Sequence, residues 1–477
     1  MRFIKKNYLF LIPLILFLSL RLTNLGTDIT NTDAIRWHKR SDNFYRALRE
    51  GDWKNTFQHY QPGVTLMWLN STTKYTLQRC QLANNSPQLE LNHTGNYKTI
   101  HSTSKTILVL TLSILLIYQL HLVRNVFDDK TAFIFGMLMA MEPFLIGIDR
   151  FFHLTSLETY LIFSSLLTLL NSKKNISLYI AGILFGLAIL TKTSALIFLP
   201  IPIILLLRTE KPIEKLFKFF IPAIVIFVSL FPAIWVSPRY VFEKLMDGIT
   251  GGIAQDTRQT GVTPILFYPT MLMYKLSPLT LVLFAGVLVN VKKLKQEKIL
   301  YILGMFLIYL LAFSMSVKKI DRYLISLIPP LLLLCAHYLA TLKVKKQIVY
   351  ITAISLFTIW VGYIYHPHYS AFFSPVLGGT TKALSLGVYG NKGEYFSEAA
   401  RYLNEKGRDT YAWVPNNHNS LAYYFKGNLE QVHTGETNFV VISINNLDKK
   451  PESCGVFEKG FGPRNIEVVQ IYKCNYD

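Results

Sequence analysis

The chain has 477 residues, of which 51% are hydrophobic and 16% charged, and its mean hydropathy is +0.30. That balance excludes an ordinary water-soluble enzyme and points to an α-helical multi-pass membrane protein. A net charge of +20 would suggest nucleic-acid binding in a soluble chain, but here the basic residues fall between apolar runs, where topology accounts for them, and no nucleic-acid partner is expected.

The first apolar segment, 8–22, follows Arg2, Lys5 and Lys6 and has no small-residue cleavage pattern behind it, so it reads as a retained span. Further runs of membrane-crossing length lie at 106–123, 131–148, 154–171, 176–190, 193–207, 219–236, 277–291, 299–316, 323–342 and 347–365, which makes about eleven spans. The basic stretches "RFIKK", "RNVFDDK", "NSKKN", "RTEKPIEKLFK", "VKKLKQEK" and "LKVKK" occupy alternate connections. Placing them all in the cytoplasm satisfies the positive-inside rule, with the N-terminus inside and the C-terminal tail outside. The outer face then carries a long loop, 23–105, the turn "IDRFFH" (148–153), a second loop, 237–276, and the turn "VKKIDR" (317–322).

From about 366 the composition changes. "EYFSEAARYLNEKG" has the apolar spacing of an amphipathic helix, and "DTYAWV", "NFVVISI" and "IEVVQIY" have that of strands. The expected organisation is a membrane domain, 1–365, followed by a small extracytoplasmic α/β domain, 366–477. Four cysteines without a CxxC give neither a disulfide framework nor a zinc site, although Cys454 and Cys474 can pair on an oxidising side of the membrane. No metal-ligand constellation is visible, and no divalent metal or other cofactor is expected. The Gly-rich "GVYGNKGEY" (387–395) lacks the strand–helix context of a nucleotide site. Sequons stand at Asn70, Asn84, Asn92 and Asn175.

The first outer loop contains Asp28, Asp33, Asp42, Glu50, Asp52 and Glu90. A carboxylate in a cleft at the membrane surface can act as general base for an acceptor hydroxyl, although most acids in a polar loop are simply solvated. The short outer turns carry Arg150, Lys192, Lys318, Lys319 and Arg322, against the charge rule. An anionic ligand is one physical reason for them, since the forked guanidinium suits phosphate. Snorkelling to the interface, or local Asp–Arg pairs at 149–150 and 321–322, is the other.

"NTDAIRWHKRSDNFYRALREGDWKNTFQHYQPGVTLMW" (31–68) resembles the first outer loop of membrane glycosyltransferases of the GT-C fold, of the protein O-mannosyltransferase and lipid A aminoarabinose transferase type. The matching positions are Asp33, Trp37, Arg40, Ser41, Gly51 to Trp53, Pro62 to Thr65 and Trp68. The resemblance continues through "FDDKTAFIFGMLMAMEPFLIGIDRFFHLTSLETYLIF", "GLAILTKTSALIFLP" and "KKIDRYLISLIPP". Three positions depart from it: Ala34 replaces the usual Glu, Gln61 the usual His, with His59 nearby, and Thr155 a frequent Asp.

The resemblance implies a GT-C membrane domain in the cell membrane. It implies a polyprenyl-phosphate-linked sugar as donor, and inverting transfer to a hydroxyl of a protein, lipid or glycan on the outer face. Asp33 would be the base. Arg150, His153, Lys192, Lys318, Lys319 and Arg322 would hold the phosphate, with Trp37, His38, Arg40 and His59 at the sugar or phosphate. The alternatives are a transporter or flippase of a lipid-linked sugar, which would favour two related halves and buried midspan acids, and a catalytically silent scaffold.

Overall fold

The computed structural model describes residues 2–28, 30–80, 94–172, 174–254, 263–290 and 296–475. Glu90, Asn84 and Asn92 lie outside them. Eight helices make up the N-terminal part: α1 (Arg2–Leu22), α2 (Thr32–Glu50), α3 (Val64–Arg79), α4 (Thr94–Val126), α5 (Asp129–Met141), α6 (Pro143–Asp149), α7 (Leu154–Leu170) and α8 (Asn175–Thr191). The principal helices beyond them are Pro212–Leu230, Pro238–Ala254, Phe267–Lys275, Pro278–Asn290, Glu297–Met315, Ile328–Thr341 and Val344–Tyr365.

Among the described residues four helical segments are long and apolar enough to cross a membrane, or five when α5 and α6 are taken as one span bent by 67°. The bend follows from Pro143, which cannot donate into the ladder of α5. It leaves Glu142 to accept from the Ser277 amide (2.8 Å) and the Thr280 hydroxyl (2.7 Å) across the bundle. α7 is rich in Leu and, although it carries Glu158 and several hydroxyls, is buried along nearly its whole length, as befits a central helix. Helix Pro212–Leu230 instead exposes Ile213, Phe217, Ile221, Ile224 and Val228, a one-sided apolar stripe that suits contact with lipid.

The 23–105 segment is far more helical than a polar loop. Asn31 Oδ1 accepts from the Ala34 amide (2.7 Å) and starts α2; Gly51, at φ 70°, ends it. α3 begins at Val64 and runs to Arg79. Asn70 on α3 is buried and accepts from Ser104.

The C-terminal part contains a five-stranded mixed sheet of β1 (Tyr411–Trp413), β2 (Asn428–Glu430), β3 (Phe439–Ser443), β4 (Val456–Phe461) and β5 (Val469–Lys473), in the order β2-β1-β3-β5-β4. β1 is parallel to β2 and β3, and β5 is antiparallel to β3 and β4. β3 is buried on both faces. Helix Phe396–Glu405 buries Phe396, Ala399, Ala400 and Leu403, the i, i+3, i+4, i+7 face read from its sequence. Cys454 and Cys474 form a disulfide. This part packs on the start of α2: Ser397 Oγ donates to Asp28 O (3.0 Å), Tyr424 Oη to Gly26 O (3.2 Å), and the Tyr97 and Tyr423 rings stack at 3.7 Å.

Candidate functional site

α2 places Asp33, Arg36, Trp37 and Arg40 at i, i+3, i+4 and i+7, so all four share one face. That face forms a wall of a cavity of about 540 Å³, closed by His59, Tyr60 and Gln61, by His153, by Lys192 to Ser194, by Gly248 and Ile249, and by Phe313, Lys318, Arg322 and Tyr323. Gly63 fixes the wall: at φ +63° a Cβ there would stand 2.1 Å from the Trp37 ring.

Among the described lining residues Asp33 is the one carboxylate, against the cations of Arg36, Arg40, Lys192, Lys318 and Arg322. Its Oδ2 takes Arg322 Nη1 at 2.5 Å, with His153 Nε2 at 3.9 Å; Arg36 lies 3.8 Å from Oδ1. Burial by itself would raise the Asp33 carboxyl, but Arg322 holds it well below the usual carboxylate range. Arg322 Nε is buried and has no hydrogen-bond partner among the described residues. Burial, with help from Arg40, pushes His59 down to about 4, and burial lowers His153 as well, so both rings are neutral near pH 7. Lys192 Nζ lies 3.4 Å from the fully buried Glu158 and 4.3 Å above the Tyr323 ring. Ser194 Oγ donates to Glu158 (2.5 Å) and Thr193 Oγ1 to Gln61 (3.2 Å).

Of the residues singled out by sequence, the structure gathers Asp33, Trp37, Arg40, His59, His153, Lys192, Lys318 and Arg322 around this cavity. Three others are elsewhere. Arg150 is buried against Asp28 (2.8 Å) and donates to the carbonyls of Leu20, Arg21 and Thr23, so it closes the end of α1 and does not line the cavity. Lys319 turns back onto the carbonyls of Phe313 and Ser314 at the end of helix Glu297–Met315. His38, five residues after Asp33, falls on the opposite face of α2, where it meets His101 at 3.0 Å and stacks on Phe152 at 4.3 Å.

Sequence reasoning missed Arg36, Tyr60, Tyr323 and the Glu158 behind Lys192. Arg36 carried a signal, its i+3 spacing from Asp33. Glu158 and Tyr323 carried none, because tertiary packing alone brings them to Lys192. Among the described residues one trio has metal-ligand proximity, His433 with Cys454 and Cys474, and the disulfide engages its sulfurs.

Residues 103–237 match the family model of dolichyl-phosphate-mannose-protein mannosyltransferase. No curated protein matches the chain by sequence. The structure is similar to ArnT from Cupriavidus metallidurans bound to undecaprenyl phosphate, with a TM-score of 0.57, 11% identity and coverage of 97% of each chain. The fold is that of the GT-C glycosyltransferases. It is also similar to the Archaeoglobus fulgidus oligosaccharyltransferase in the apo form, with a TM-score of 0.50, 12% identity and coverage of 92% of this chain and 70% of that one. The GT-C likeness covers both the helical part and the C-terminal sheet.

Proposed function

We propose that this protein transfers a sugar from a polyprenyl-phosphate-linked donor to a hydroxyl of a protein, lipid or glycan, with inversion, at the outer face of the cell membrane. The observation that carries the reading is the charge balance of the cavity, where the described lining residues give a single carboxylate among five side-chain cations. Such a site is short of anions, and a lipid phosphate supplies them. The likeness to a structure holding undecaprenyl phosphate adds support for this ligand class. The disulfide supports an oxidising, extracytoplasmic location for the C-terminal part, 366–477, as a unit following the membrane domain of about eleven spans.

In this reading the acceptor oxygen attacks the anomeric carbon from the side opposite the phosphate. The C–O bond to the phosphate breaks, and the acceptor proton passes to Asp33. The leaving phosphate gains charge, which Arg322, Lys192, Lys318 and Arg40 stabilise. Trp37 and Tyr323 offer ring faces to the sugar.

Before donor binds, Arg322 occupies Asp33. A phosphate in the cavity competes for that guanidinium, and once Arg322 moves to it, Asp33 loses its strongest cation and becomes a better base. Donor therefore binds first and activates the base. The cations carry the charge neutralisation, so the reaction needs no divalent metal.

The test is transfer, or slow donor hydrolysis, by purified protein given a panel of polyprenyl-phosphate sugars and simple hydroxyl acceptors, with Asp33→Asn alongside. Transfer that disappears in the variant supports the reading. Donor binding without turnover in the wild type favours the silent scaffold instead.

A further inference from the structure

Arg322 reaches the cavity from a residue pair, Asp321–Arg322, that opens the 3-10 helix Asp321–Leu327. Asp321 is buried, and its carboxylate meets two ammonium groups from two distant segments, Lys392 Nζ at 2.8 Å and Lys275 Nζ at 3.6 Å. Lys275, at the end of helix Phe267–Lys275, also donates to Ser370 O (2.9 Å) and Phe372 O (3.1 Å) and lies 3.6 Å above the Phe373 ring. Lys392 comes from the Gly-rich turn beyond the last membrane helix. Glu394 braces that turn by accepting from Ser370 Oγ (2.6 Å) and from the Lys392 amide.

Neither lysine lines the cavity, yet both bear on it. Asp321 is the carboxylate adjacent in sequence to Arg322. Without Lys392, Asp321 keeps only the more distant Lys275, and a buried carboxylate short of cations takes whatever further donor is in reach. Arg322, the next residue along the chain, has an unpartnered Nε to offer.

We propose that Lys392 is a positioning residue for donor binding: by occupying Asp321, it keeps the Arg322 guanidinium turned toward Asp33 and the lipid phosphate. The inference rests on the reading of the cavity as a phosphate site. Its consequence is that the segment following the last membrane helix belongs to the donor site, in addition to any part it has in recruiting the acceptor.

The experiment is a titration of the purified full chain with a polyprenyl monophosphate, read by native mass spectrometry, which needs no turnover. Lys392→Met is expected to bind about tenfold more weakly than wild type, the loss of one charge-assisted contact. Lys392→Arg, which restores the cation, stays within about threefold of wild type. In an Arg322→Gln background, Lys392→Met causes no further loss, because its effect passes through Arg322. Asp321→Asn combined with Lys392→Met recovers binding, since the competing carboxylate is gone, whereas a merely structural role would make that double variant worse.

The proposal is overturned if Lys392→Met binds as wild type does, or if it weakens binding equally with and without Arg322. A wild type that binds no polyprenyl phosphate overturns the phosphate reading and this inference with it. A wild type that binds phosphate but transfers no sugar overturns only the catalytic reading.

Discussion

Two clusters of charge lie close together at the start of α2, and they differ in one respect. Around Asp28 the charges are paired: Lys105 at 2.5 Å and Arg150 at 2.8 Å satisfy its carboxylate, and Arg150 Nη1 donates to main-chain carbonyls. Nearby, Arg21 pairs with Asp149 at 2.8 Å and donates to the carbonyls of Ala140 and Met139. Around Asp33 the same residue types leave an excess of cations, an unpartnered guanidinium nitrogen and a cavity. A saturated cluster can only hold structure together, and an unsaturated one can take a ligand. Acids and bases of the same kind, on neighbouring turns, thus come to do different work through the number of partners each finds.

The comparison can be broken most severely at the saturated cluster. Arg150→Met leaves Asp28 facing Lys105 alone in the interior and strips three carbonyls of their donor; breaking a buried pair costs about 3–5 kcal/mol. The expected outcome is loss of folded protein, seen as aggregation or a markedly lower melting temperature on size-exclusion chromatography and thermal unfolding in detergent. At the unsaturated cluster the order reverses. Asp33→Asn should fold and melt as wild type does, while transfer falls by about 10²–10⁴, the range for a general base.

Arg322→Gln sharpens the contrast through pH. Burial, which raises the Asp33 carboxyl, stays in place, and the cation that lowers it most is gone. The pKa of Asp33 in the free enzyme therefore rises, and the acid limb of the kcat/KM profile moves to higher pH than in wild type. A profile of donor hydrolysis with an unmoved acid limb would show that Asp33 is not the titrating base.

Gly63→Ala tests the wall of the cavity. The new methyl must displace the Trp37 ring, at a cost of about 1–3 kcal/mol in strain. Donor KM should rise more than the melting temperature falls, as steady-state kinetics and thermal unfolding would report. The smallest effect is expected from chelation: EDTA should leave transfer unchanged, and loss of activity restored by a divalent ion would contradict the metal-free reading.

Much of the site was legible in the sequence as position, and much less as role. Asp33, Trp37 and Arg40 share a helical face that spacing alone defines, and "VKKIDR" stood out because basic residues there run against the charge rule. His38 was misassigned because the segment was read as a loop. On the helix that Asn31 starts, five residues from Asp33 is nearly half a turn off its face, and His38 points inward.

Lys318 and Lys319 are neighbours in sequence, yet one lines the cavity and the other closes a helix end; which does which depends on where Glu297–Met315 stops. Arg150 carried the same signal as Arg322. The difference is Asp28, brought to Arg150 from 122 residues away, a contact that no local pattern reports. In the C-terminal part, β1, β3 and β5 were legible as strands, whereas the edge strands β2 and β4 are short or charged and went unread.

The account turns on the cavity cations being available to a lipid phosphate and on Asp33 competing with it for Arg322. The most direct measurement is the affinity of a polyprenyl monophosphate for wild type, Asp33→Asn and Arg322→Gln, titrated on folded protein in detergent. The account predicts that Arg322→Gln weakens binding by about tenfold or more, and that Asp33→Asn, which frees Arg322, binds at least as tightly as wild type while transferring nothing. Weaker binding in Asp33→Asn, or unchanged binding in Arg322→Gln, would contradict it.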